Sequence, residues 1–79
     1  MKLSIDETAD ALYLQLVNKT VLESAEIVPG IVVDYDENGE IIGVEVLHLT
    51  KRIQPVDLLD FQFQANRKKL NLPRVALVS

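Results

Sequence analysis

The chain has 79 residues, 48% of them hydrophobic, a net charge of −4 and no cysteine. A single domain of this size buries only about 60% of the surface its unfolded chain exposes, and neither a disulfide nor a thiolate metal site is available to supplement so thin a core. The opening MKLSIDETAD carries charge where a signal peptide needs an apolar run, and no apolar stretch reaches the roughly 20 residues of a membrane span, so a cytoplasmic protein is expected.

Residues 2–5 alternate, with Leu3 and Ile5 pointing one way, and they stop at the polar run of residues 6–10, which suits a turn. Residues 11–17, ALYLQLV, resume the alternation with Leu12, Leu14 and Leu16 in one row and Tyr13, Gln15 and Val17 in the other. A helix starting near Ala9 is the rival, because Leu12 and Leu16 are four apart. It leaves Leu14 exposed, so a strand is predicted. After a short turn at residues 18–20, residues 21–28 read as a third strand. Glu23, Ser24 and Glu26 give it the polarity of an edge.

Pro29-Gly30 ends that strand and opens the stretch that organises the chain, PGIVVDYDENGEIIGVEVLHL. Asp36-Glu37-Asn38-Gly39 has the composition of a type I turn closed by a glycine that takes positive φ without a Cβ clash. With those four residues as the loop, Tyr35 pairs with Glu40, Val33 with Ile42 and Ile31 with Val44. Ile31, Val33, Ile42, Val44 and Val46 then share one dry face. Gly43 in mid-strand reads as a bulge or twist point, the usual habit of strand glycines, or as a place where another backbone or an aromatic ring comes close.

After Leu49 the alternation breaks. Pro55 suits the first position of a helix, and residues 56–70 place Leu59, Phe63 and Leu70 on one side with Leu58, Phe61 and Ala65 adjoining, so a helix is predicted there. A strand through residues 61–64 is the rival. Residues 74–79 are an apolar tail that frays, adds a strand to a neighbouring edge or docks on another subunit. The fold expected is α+β: a small antiparallel β-meander of four to five strands (residues 1–53) followed by one C-terminal helix and tail (residues 54–79), in the same domain.

Charge is unevenly placed. Residues 1–50 carry ten acidic groups and two lysines, while residues 51–79 carry Lys51, Arg52, Arg67, Lys68, Lys69 and Arg74 against Asp57 and Asp60, giving −8 and +4. A basic arm and an acidic sheet either screen each other, meet in a dimer, or steer a basic partner protein. Nucleic acid is not the expected ligand of the β region, which has the wrong sign for phosphate. A DNA-binding regulator would have to rest on Arg67, Lys68, Lys69 and Arg74.

The blocks DETADALYL (residues 6–14), PGIVVD (29–34), GEIIGVEVL (39–47) and Lys51-Arg52 together resemble the DUF2283 family of small prokaryotic proteins of unknown function. The likeness spans roughly residues 1–53. It implies a compact β-rich unit followed by a helix, with no catalytic residues to carry over. Members are often encoded beside a small toxin-like protein, so the resemblance also implies a binding partner of antitoxin-like character.

The residues therefore point to a protein-interaction module that homodimerises or binds a basic protein, with Phe61, Phe63, Arg67, Lys68, Lys69, Arg74, Val75 and Leu77 as candidate contact residues. No cofactor and no membrane partner are expected. The enzyme or metal-site alternative would draw on Asp10, Asp34 and His48, the only histidine. A lone histidine at a strand end is more often hydrogen-bonded than a ligand. Asp6 and Asp10, four apart across a turn, are more simply turn-formers accepting backbone N–H groups.

Overall fold

The computed structural model describes residues 1–54, 57 and 60–66. Five strands form one antiparallel sheet: β1 (Lys2–Asp6), β2 (Ala11–Gln15), β3 (Glu23–Val28), β4 (Ile31–Tyr35) and β5 (Ile41–Val46), followed by the single-turn helix α1 (Leu49–Arg52). Their order across the sheet is β1-β2-β5-β4-β3. This corrects the simple meander. Strands β3, β4 and β5 do meander, but β2 crosses the space of two strands before β3 begins, and its free edge is later filled by β5.

Side chains that face one another across an antiparallel pair lie on the same side of the sheet. The pairs Leu3–Leu14, Ile5–Leu12, Leu12–Val46, Leu14–Val44, Val33–Val44, Ile31–Val46 and Ala25–Val33 therefore make one continuous apolar face across all five strands. The opposite face carries Ser4, Tyr13, Glu45, Val32 and Glu26 in one cross-strand row and Gln15, Gly43, Asp34 and Ser24 in the next. Among the described residues the buried apolar side chains are Ala11, Val33, Ile42 and Leu49, and no large side chain is completely buried. The single layer leaves the apolar face half covered.

The Asn38-Gly39 turn forms as predicted, with Gly39 at φ 76° and the Gly39 N–H donating to the Asp36 carbonyl at 3.0 Å. The register around it differs from the expectation by two residues. The Asp36 N–H donates to the Glu40 carbonyl at 3.0 Å just beyond the end of the ladder, and Tyr35 pairs with Ile41, one residue later than expected. A second residue is gained at a bulge, because Asp34 already pairs with Gly43 and Ile42 is left over. Beyond the bulge the displacement is therefore two, and because side chains alternate with period two it returns Ile31, Val33, Val44 and Val46 to their predicted face. That is why Ile31, Val33, Val44 and Val46 still share a side, with Ile42 only 3% exposed.

The β3–β4 hairpin turns through Pro29 and Gly30, the latter at φ 82°. Its peptide is held by Glu26 Oε1, which accepts the Gly30 N–H at 2.9 Å, and by the Leu47 N–H, which donates to the Gly30 carbonyl at 2.8 Å. Arg52 clamps the same corner, its Nε donating to the Leu47 carbonyl at 2.9 Å and its Nη2 to the Pro29 carbonyl at 3.1 Å. The guanidinium lies where a Gly30 side chain would stand.

Of the helix predicted over residues 56–70, Asp57 is helical. Helix α1 forms earlier, at Leu49–Arg52, and residues 61–66 are neither helix nor strand, which also removes the rival strand over 61–64. The remaining residues of that predicted helix, and the apolar tail, lie outside the described residues. Among the described residues no helix is long and apolar enough to cross a membrane.

Candidate functional site

Three polar constellations stand on the sheet, each built by a different turn or strand pairing. The first lies on the polar face. Tyr13 of β2 leans across β5, and its hydroxyl donates to Asp34 Oδ2 of β4 at 2.8 Å; Ser24 of the edge strand β3 donates to Asp34 Oδ1. The Asp34 carboxylate thus ties together three strands. Only a residue without a side chain fits beneath the phenol, and that residue is Gly43: a Cβ there would collide with the hydroxyl and stand 2.7 Å from Cζ of the ring. Both readings of the mid-strand glycine hold, since the bulge at Ile42 immediately precedes it. The hydrogen bond to Asp34, then partial burial and the nearby carboxylates of Asp34 and Glu45, push the Tyr13 phenol above its ordinary pKa.

The second constellation sits at the other end of the sheet. Asp10 closes the β1–β2 turn at φ 53°, the left-handed region that aspartate tolerates. Its carbonyl accepts the Leu49 N–H at 3.0 Å, its Oδ1 accepts the Thr50 N–H at 3.0 Å, and its Oδ2 accepts the Thr50 hydroxyl at 2.8 Å. These are free donors at the start of α1, and His48, the residue in the N-cap position, makes no side-chain cap. Asp10 is the cap, supplied from a turn that comes 40 residues earlier than Thr50. Asp6 shapes the same turn, its Oδ1 accepting the Ala9 N–H at 3.1 Å.

The third lies at the Asn38-Gly39 end. Asp36 is only 4% exposed. Its Oδ1 accepts the N–H groups of Asn38 at 2.9 Å and Glu40 at 3.0 Å. Its Oδ2 is buried without a hydrogen-bond partner and faces the Lys19 ammonium at 3.5 Å. The Glu40 N–H, followed by the Asn38 N–H and the Lys19 charge, holds the Asp36 carboxyl below the usual carboxylate range, although burial opposes this. An open cavity of about 480 Å³ lies beside it, lined by Lys19, Thr20, Leu22, Asp36, Glu37 and Asn38.

Of the residues named for an enzyme or metal site, Asp10 bonds to Leu49 and Thr50, which directly follow His48 in the chain. Asp10 is committed to α1 and Asp34 to Tyr13 and Ser24, and no three His, Asp or Glu side chains among the described residues gather as a metal-binding set. Of the candidate contact residues, Phe61 and Phe63 are exposed, at 63% and 48%. Arg67, Lys68, Lys69, Arg74, Val75 and Leu77 lie outside the described residues. Sequence reasoning missed the parts played by Tyr13, Ser24 and Thr50. The one signal for them was the glycine in β5, which asks what fills the space above it.

A one-sided, five-stranded antiparallel sheet with a short helix capped from a distant turn of the same chain is the class of domain these elements define. The family described as Protein of unknown function (DUF2283) has a model that matches residues 2–49, the whole of the sheet, and the chain belongs to that family. Neither the curated proteins nor the solved structures contain a match to it.

Proposed function

We propose that this domain is a cytoplasmic protein-interaction module that associates with a second copy through its apolar sheet face and presents its acidic surface to a basic protein. The observation that carries the reading is the one-sidedness of the sheet: an uninterrupted apolar face over five strands, with only Val33 and Ile42 of it buried. A face of five strands about 4.8 Å apart and five residues long projects to roughly 400 Å². That is below the roughly 800 Å² per partner of a standard stable interface, so the exposed Phe61, Phe63, Leu16 and Ile41 would have to join it, and self-association is weak and concentration-dependent. Sedimentation velocity from micromolar to millimolar protein is expected to show a monomer–dimer equilibrium. A monomer throughout removes the self-association.

The acidic character of residues 1–50 supports the second half of the reading. In its most specific form the basic partner is a toxin-like protein encoded next to this one, which co-expression tests directly: complex formation and restored growth are expected, and the absence of both discards it.

A further inference from the structure

We propose that the cavity beside Asp36 is a seat for one guanidinium group, an arginine side chain of the basic partner, which Lys19 occupies in the free protein. This rests on the basic-partner reading above and names its point of contact. A carboxylate has about four lone-pair positions, and in Asp36 only Oδ1 is used, on two backbone N–H groups. Oδ2 is buried and accepts no hydrogen bond. A buried carboxylate oxygen without a donor is unfavourable, and its one compensation is an ammonium 3.5 Å away on a side chain that is itself half exposed. A long flexible lysine held by one contact at that distance is a weak counter-ion.

An arginine improves on it in three respects. Its planar fork donates two parallel N–H groups, one to Asp36 Oδ2 and one toward the carboxylate of Glu37, the second acidic side chain on the wall. Its stem lies on Leu22, which is 70% exposed and is the apolar wall of the same cavity. Lys19 returns to water, where its charge is fully hydrated. The Asn38-Gly39 turn fixes the receiving oxygen beforehand, so no loop has to be ordered on binding.

The test uses the full chain and N-acetyl-arginine amide as the probe, with N-acetyl-citrulline amide as its uncharged equivalent. Amide shifts of Asn38, Gly39 and Glu40 are followed by NMR. Saturable shifts with the arginine probe and none with citrulline are expected. Lys19→Ala removes the competing ammonium and tightens binding about two- to fivefold, the range an exposed ion pair is worth; Glu37→Gln, on an exposed turn residue, weakens it. Shifts that fail to saturate in both the wild type and Lys19→Ala, or that citrulline reproduces, overturn the seat. The two readings fail separately: a native basic partner that binds while this titration is blank leaves the interaction module standing without the seat, and a saturating titration with no protein partner does the reverse.

Discussion

The phenol of Tyr13 fills the volume above Gly43, on the strand alongside, that any other residue's side chain would claim. Gly43→Ala therefore forces the ring off Asp34 or bends β5, and is expected to destabilise the fold by about 1–3 kcal/mol, the usual cost of overpacking. Urea denaturation of the single and double mutants checks it. In a Tyr13→Ala background the same glycine substitution becomes neutral or mildly stabilising, because alanine is the better strand residue once the space is free.

The same phenol predicts an alkaline limit to stability. Its folded pKa is raised, so its contribution is complete below the unfolded tyrosine value near 10 and disappears as pH rises through the folded value. Stability measured by urea at increasing pH above 10 should fall more steeply in the wild type than in Tyr13→Phe. At neutral pH Tyr13→Phe costs about 1 kcal/mol, the worth of one partly exposed hydrogen bond to a carboxylate.

Asp36 predicts the acid limit. Its folded pKa is depressed, so its contribution is present above the unfolded carboxylate value near 4 and is lost as pH falls through the folded value. Asp36→Asn should flatten the acid side of the stability–pH curve, and fluorescence- or circular-dichroism-monitored unfolding from pH 6 downward reads it. A curve unchanged by the substitution would show that other carboxylates set the acid limit.

Asp10 holds a helix it does not belong to. Asp10→Ala removes both the carboxylate that accepts from Thr50 and the side chain that tolerates φ 53°, and is expected to cost about 1–2 kcal/mol. Asp10→Asn keeps an acceptor and the backbone tolerance and costs less. Thr50→Val removes one of the two side-chain bonds, at about 1 kcal/mol. Thermal unfolding should rank them Asp10→Ala first, and an Asn variant as damaged as the Ala variant would refute the cap.

The five strands were legible because their signals are local. Alternation marks each strand, and Asp36, Asn38 and Gly39 spell the turn with residues chosen for hydrogen bonding and positive φ. The register was legible only in parity. The Asp36–Glu40 bond that shortens the loop leaves no mark on composition, and Gly43 hints at the neighbouring bulge without saying that it adds a residue at Ile42; beyond the bulge the two single-residue displacements together restore the faces. The pairing of β2 with β5 and the bond from Asp10 to Thr50 join residues far apart in the chain, and a pattern of hydrophobic spacing does not say which distant strand arrives. Helix α1 escaped notice for the same reason: one turn of LTKR has no periodicity to show, and its cap lies elsewhere. Asp10 and Asp34 left both readings open in the sequence because aspartates at turns and in strands look alike whether they bind a ligand or groups of their own chain; in the structure Asp10 accepts from Leu49 and Thr50, and Asp34 from Tyr13 and Ser24.

The strand order β1-β2-β5-β4-β3 also sets a timetable. During synthesis the first hairpin leaves the ribosome with Leu12 and Leu14 lacking the neighbours that Val44 and Val46 will provide, roughly 30 residues later. At translation rates of 5–20 residues per second that is a wait of roughly 2–6 s, far longer than the microseconds a hairpin needs to form. The nascent chain thus carries an unmated strand through more than a third of its own production, and β5, the last-made of the described strands, is the one that joins the two halves into a sheet.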